Sequence, residues 1–103
     1  ERIYCIAMNT KNEIISFSQI AQGNINNCNF DIKGLFKTIL LCNASKFILI
    51  HNHPSGDSTP SERDYQVTKK IKEASKIMGI EFLDHIVIAQ NGYTSCYGIK
   101  GGE

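Results

Sequence analysis

Apolar and polar positions along this chain fall into two kinds of pattern, short runs that read as strands and spaced repeats that read as helix faces. Ile3 to Met8 is rich in apolar and aromatic residues, and Asn9-Thr10-Lys11-Asn12 is a polar cluster suited to a turn before a second strand-like run from Ile14. This arrangement predicts a hairpin. The second strand is expected to fade near Gly23, and the asparagines between Asn24 and Asn29 favour turns because their amides compete locally for backbone hydrogen bonds.

From Asp31, a plausible N-cap, apolar residues fall at Ile32, Leu35, Phe36, Ile39 and Leu40, the spacing of one helix face. This helix should end near Asn43. Lys46 to Ile50 is then apolar on both faces, which suits an interior strand. Pro54, Gly56 and Pro60 exclude regular structure between His53 and Ser61. A second helix is predicted from about Ser61 to Met78, with Val67, Ile71, Ala74 and Met78 on its inner face and Gly79 placed to stop it. Ile86 to Ala89 is a third apolar run, and Asn91-Gly92 signals a hairpin into Tyr93 to Tyr97. Gly98, Gly101 and Gly102 loosen the tail. The order is ββαβαββ, a mixed-sheet α/β domain.

Composition narrows this picture. At 103 residues and 42% hydrophobic content, the chain suits one small domain with one core spanning residues 1–103. A net charge of +1 gives no sign of a polyanion partner, so DNA is only weakly supported. Cys5, Cys28, Cys42 and Cys96 are scattered, without a CxxC pair, and read as reduced thiols of a cytoplasmic protein rather than metal ligands. No apolar run approaches the ~18 residues of a membrane helix, so no membrane partner is expected. The chain does not begin with Met, and it is expected to be an excerpt of a longer protein.

The chemistry concentrates in His51-Asn52-His53-Pro54-Ser55-Gly56-Asp57-Ser58-Thr59-Pro60-Ser61-Glu62-Arg63-Asp64. Side chains alternate faces along a strand, so His51 and His53 point the same way and both imidazoles reach one ion. Asp64, in the first turn of the following helix, is placed as the third ligand. Zinc takes nitrogen and carboxylate donors at roughly 2.0–2.2 Å, and three protein ligands leave a position open for water. Zinc lowers the pKa of such water from about 15.7 to about 7, which makes it a nucleophile at cellular pH. Ser61 faces the same cavity and has a hydroxyl to offer an oxyanion. Ser61-x-x-Asp64 also reads as a helix capping pattern, and taken alone this is its commoner meaning.

The combination His51-x-His53, seven residues, Ser61-x-x-Asp64 is similar to the core of the JAMM motif of MPN (JAB) domain metalloproteases. The fuller stretch, with Thr68 and with Gly79-Ile80-Glu81-Phe82-Leu83-Asp84-His85-Ile86, resembles the RadC family, and the similarity spans nearly the whole chain. The resemblance implies a mixed-sheet MPN/JAB fold related to cytidine deaminases and one Zn2+ held by His51, His53 and Asp64, with Ser61 supporting the oxyanion. It implies a hydrolase whose zinc-bound water attacks an amide or isopeptide-like bond in a protein or peptide substrate. In JAMM enzymes a glutamate at the start of the first strand moves the proton, and Glu1 matches that place.

The chain departs from RadC relatives at Ser18, where a glutamate is common, and at Ile32-Lys33-Gly34, where a Pro-Arg-Glu triplet opens the first helix. Neither departure touches a ligand. The alternative is a non-catalytic metal-binding module acting on protein or DNA partners, in keeping with the family's link to DNA repair. Asp84-His85 reads either as support for a ligand or as a satisfied structural pair. Lys69, Lys70, Lys72 and Lys76 read as a solvated helix face, with Lys69 and Glu73 spaced to pair. Neither H-x-E nor P-C-x-x-C occurs, which excludes a deaminase site. The contiguous His-Asn-His likewise does not match a ββα-metal nuclease. Substrate and oligomeric state are not legible.

Overall fold

A computed structural model describes residues 1–22 and 31–97. Its elements are β1 (Arg2–Met8), β2 (Ile14–Gln22), α1 (Ile32–Leu41), β3 (Lys46–Asn52), α2 (Glu62–Met78), β4 (Glu81–Ala89) and β5 (Gly92–Ser95). The order is the predicted ββαβαββ. The expectations for Asn24 to Asn29 and for the glycine-rich tail lie outside the described residues.

The first hairpin turns through Asn12 at φ 65°, and the Asn9 side chain accepts the backbone N–H groups of Lys11 and Glu13, each at 2.9 Å. A short amide thus replaces backbone partners that the turn removes. The five strands form one sheet in the order β2-β1-β3-β4-β5. All neighbours are antiparallel except β3 and β4, which are parallel and joined through α2. A parallel pair needs a long crossover, and α2 supplies it.

Both helices press on the inner sheet face. Leu35, Phe36 and Ile39 of α1 and Val67 and Ile71 of α2 pack with Ile3, Cys5, Phe47, Leu49, Ile80 and Phe82 in one cluster. Phe47 stacks on Phe82 with ring centroids 4.8 Å apart and meets Phe36 edge-on at 5.9 Å. These contacts set how far each helix stands from the strands, and so where the start of α2 meets the end of β3.

Several expectations shift. Leu40 is 54% exposed and Met78 43%, although helical spacing puts both on inner faces. Each lies in the last turn of its helix, beyond the edge of the sheet cluster, and in α2 Ser75 takes the buried place instead. Asp31 occupies the N-cap position of α1, but its carboxylate makes no cap bond. It lies over Gly34, where a Cβ would stand 2.8 Å from Asp31 Oδ2. β4 begins at Glu81, five residues before the apolar run at Ile86, because β3 offers a full-length parallel partner. β5 ends at Ser95, short of Tyr97. Gly79 stops α2 as expected, at φ 72°, where a side chain would be strained.

Candidate metal centre

Strand period and strand register bring the histidines and Glu1 together. Phe47, Leu49 and His51 are the buried positions of β3, so His51 ends the inward row. His53 lies just past the strand, where its N–H donates to the Ile88 carbonyl at 2.8 Å. The two rings stand 4.7 Å apart, nearly perpendicular. In the antiparallel pairing of β1 with β3, Ile3 stands opposite His51. Continuing that register brings Glu1 opposite His53 on the same face. The Arg2 N–H, donating to Asn52 Oδ1 at 2.6 Å, ties down this end of β1. Glu1 Oε1 lies 3.5 Å from His51 Nε2, and Glu1, His51 and His53 each offer a donor atom within 4.8 Å of the others.

The loop after His53 is shaped by its own polar groups. Gly56 takes φ 92°, and its carbonyl accepts the Asn91 N–H at 3.2 Å. Ser58 donates its N–H to Asn91 Oδ1 at 3.0 Å, and its hydroxyl meets that of Thr94 at 2.9 Å. The loop is therefore pinned to the β4–β5 hairpin before it enters α2. The Asp57 carboxylate accepts the Thr59 N–H and hydroxyl, which hold it below the usual carboxylate range.

At the start of α2 the capping reading and the ligand reading meet in one carboxylate. The Asp64 N–H donates to Ser61 Oγ at 3.1 Å, and the Ser61 N–H donates to Asp64 Oδ2 at 2.8 Å, a complete capping box. Oδ2 is thereby used, while Oδ1 of the fully buried Asp64 has no hydrogen-bond partner. A buried carboxylate oxygen without a partner costs free energy unless a cation meets it. Asp64 stands outside the Glu1–His51–His53 triangle but touches two of its members. Its Oδ2 is 3.1 Å from His53 Nε2 and its Oδ1 is 3.6 Å from His51 Nδ1.

The protons around His53 make the same demand. Its Nδ1 lies 3.0 Å from the Asp57 carbonyl, which only accepts, so that nitrogen carries a proton. In a neutral ring Nε2 is then a lone pair, and it faces Asp64 Oδ2, another acceptor. Two acceptors at this distance require a cation between them, either a proton or a metal ion. His51 Nε2 is likewise buried and without a hydrogen-bond partner. The donor set thus fits a divalent metal that takes imidazole and carboxylate.

Burial lowers the pKa of His51, against the opposing pull of the Asp64 and Glu1 carboxylates, and a neutral imidazole is the form that ligates. His85 is also fully buried, and desolvation lowers its pKa to about 4. Its Nε2 lies 3.3 Å from His51 Nδ1 and its Nδ1 lies 2.7 Å from Thr68 Oγ1. Its neighbour Asp84 faces elsewhere. Asp84 Oδ1 accepts the His85 N–H at 2.8 Å and the Ser95 hydroxyl at 2.7 Å, tying β4 to β5. The Asp84-His85 dipeptide therefore divides, one residue structural and the other against a candidate ligand.

All five candidate residues, Glu1, His51, His53, Ser61 and Asp64, lie around this centre. Thr68 carried only the family resemblance, and neither its contact with His85 nor the inward orientation of His85 was legible. Period-two alternation from Phe82 would turn His85 outward, but a register shift makes Phe47 pair with Phe82 and Ile48 with Asp84. The extra residue, Leu83, reverses the phase and turns His85 in. Cys5 and Cys96 are buried, with pKa values raised to about 12 mainly by burial. Cys5, Cys42 and Cys96 are free thiols. Cys28 is outside the described residues. Lys69, Lys70, Lys72 and Lys76 are exposed, and Lys72 Nζ stands 4.7 Å over the Tyr97 ring. No helix among the described residues is long and apolar enough to cross a membrane.

Comparison with known proteins agrees with the family resemblance. UPF0758 proteins of Desulforudis audaxviator and Symbiobacterium thermophilum are 39% and 40% identical over 95 residues, 92% of this chain and 41% of each relative. One from Desulforamulus reducens is 42% identical over the same share of the chain. The chain spans about two-fifths of the length of these relatives. The model of the RadC-like JAB domain matches residues 1–101, and the chain belongs to that family.

Proposed function

We propose that this domain is a zinc-dependent hydrolase of the JAMM type, acting on an amide or isopeptide-like bond of a protein or peptide substrate. The observation that carries the reading is that two buried polar atoms without a hydrogen-bond partner, His51 Nε2 and Asp64 Oδ1, stand beside the His53 Nε2–Asp64 Oδ2 contact, where a cation would satisfy them together. His51, His53 and Asp64 are the residues that hold the ion. Zinc held there supplies Lewis acidity that activates water near neutral pH and polarises the carbonyl under attack.

The chain's own groups do the rest. The Glu1 carboxylate, 13% exposed beside His51, takes a proton from the attacking water and delivers it to the departing amine nitrogen. Ser61 Oγ accepts from the Asp64 N–H, so its own hydroxyl proton remains available to the oxyanion as the carbonyl carbon becomes tetrahedral. The capping box holds the Asp64 carboxylate and the Ser61 hydroxyl in a fixed relation, so ligand and donor are placed by one local structure. The reaction is assigned to the cytoplasm, where free thiols at Cys5, Cys42 and Cys96 remain reduced.

The test is zinc content per chain in protein purified without added metal, compared with the His51→Ala, His53→Ala double variant. One zinc in the parent and none in the double variant is expected. Equal, negligible zinc in both would remove the reading.

One observation favours a non-catalytic metal-binding module acting on protein or DNA partners. Glu1 lies within 4.8 Å of both histidine donors, and as a fourth ligand in that place it would close the open position instead of moving protons. A glutamate ligand and a glutamate base respond differently to Glu1→Gln, the first by losing zinc affinity and the second by losing turnover alone.

A further inference from the structure

We propose that Thr68 and His85 form a one-way hydrogen-bond chain that holds His51 as its Nδ1–H tautomer, with the Nε2 lone pair turned toward Glu1 and His53. His85 is then a positioning residue for His51. The link to metal binding rests on His51 being a ligand, as proposed above; the tautomer assignment does not.

The chain is read from its fixed end. Thr68 Oγ1 lies 2.7 Å from the Asp64 carbonyl oxygen, which has no proton, so the single hydroxyl proton of Thr68 is spent there. Thr68 Oγ1 is also 2.7 Å from His85 Nδ1, and that contact needs a proton which only the ring can supply. His85 therefore carries its proton on Nδ1, and its Nε2 is a lone pair. That lone pair stands 3.3 Å from His51 Nδ1, whose other close neighbour, Asp64 Oδ1 at 3.6 Å, also only accepts. His51 Nδ1 must carry a proton, and in a neutral ring Nε2 does not. The opposite proton order would leave Thr68 Oγ1 and the Asp64 carbonyl at 2.7 Å as two acceptors, and it would turn an N–H toward the metal position.

Three local features hold the chain in place. Thr68 follows Asp64 by one turn of α2, so the ligand and the anchor of the relay ride on the same rigid element. The Leu83 register shift turns His85 inward. The Asp84 carboxylate takes the His85 backbone N–H and the Ser95 hydroxyl and keeps the shift in place. Thr68, His85 and His51 are 5%, 0% and 0% exposed, so water does not compete for these bonds. Partners of this kind around a ligating imidazole are typically worth about 10–100-fold in metal affinity.

Long-range 1H–15N correlation of the imidazoles in 15N-labelled protein, metal-free and then titrated with Zn2+ alone, tests the chain directly. The expected result is a protonated Nδ1 and an unprotonated Nε2 in both His85 and His51, with zinc shifting His51 Nε2. A proton on His85 Nε2 overturns the inference, whatever the variants do. Thr68→Val is expected to mix the tautomers of both rings and weaken zinc binding by about 10–100-fold in chelator competition, with Thr68→Ser restoring both. Parent-like tautomers and affinity in Thr68→Val would overturn it. His51→Ala separates the two readings. If that variant binds zinc like the parent, the metal-site reading fails and the tautomers alone decide this inference. If it loses zinc while Thr68→Val keeps it, only the relay fails.

Discussion

Asp64→Asn separates the two functions that one carboxylate performs here. The capping role needs an oxygen that accepts the Ser61 N–H at 2.8 Å, and an asparagine carbonyl oxygen supplies it. The metal role needs the charge and the second oxygen, Oδ1, which is buried without a partner. Loss of charge at the start of α2 costs about 0.3–1 kcal/mol. The amide NH2 that takes the place of Oδ1 exchanges one unpaired buried polar group for another, so that position adds little either way. In the presence of a chelator the variant should therefore unfold within about 1 kcal/mol of the parent. Zinc at a hundred times its Kd should stabilise the parent by about 2.7 kcal/mol and leave Asp64→Asn nearly unchanged. Ser61→Ala should behave conversely, losing about 0.5–2 kcal/mol of helix capping while keeping most of the zinc increment. Urea unfolding followed by far-ultraviolet circular dichroism, with and without zinc, measures all of this. A full zinc increment in Asp64→Asn would show that Asp64 is only a cap, and the three-ligand site would be wrong.

Further outcomes can be measured alongside. Glu1→Gln should keep zinc and reduce any peptide or isopeptide hydrolysis by about 10²–10⁴-fold; parent-like turnover in a zinc-loaded variant would remove the proton-transfer role. Ile71→Ala, at a fully buried position, should cost about 2–5 kcal/mol in urea unfolding, while Met78→Ala, at 43% exposure, should stay within about 0.5 kcal/mol. Equal losses would contradict the placement of the last turn of α2. At pH 8 the native protein should be alkylated at Cys42 well before Cys5 or Cys96, whose pKa values of about 12 keep the thiolate scarce; mass spectrometry of peptides reads the order. Those raised values also bear on stability. The unfolded thiols ionise near their ordinary value of 9.0 and the folded ones near 12, so the unfolded state holds fewer protons in between. Stability should then fall as pH rises from 9 toward 12, by at most about 1.4 kcal/mol per pH unit for each thiol. A flat alkaline profile would refute the buried assignment.

Sequence alone determined those features that depend on neighbours in the chain. Strand alternation is a local property, so His51-x-His53 placed both imidazoles on one face before any contact was known. Helix capping is equally local, and Ser61-x-x-Asp64 forms the box that its letters describe. The element order followed from turn residues and apolar spacing, and it was wrong only at ends such as Leu40, Met78 and the start of β4, where the neighbouring layer decides burial. Only the tertiary structure decided what non-local pairing decides. Register between β1 and β3 carries Glu1 across to His53 from more than fifty residues away in the chain. One extra residue at Leu83 reverses the phase of β4 and turns His85 from the outer face to the site, and no local pattern announces it because a shift is defined against its partner strand. The proton order through Thr68, His85 and His51 is more distant still from the sequence, since it rests on distances among a helix and two strands.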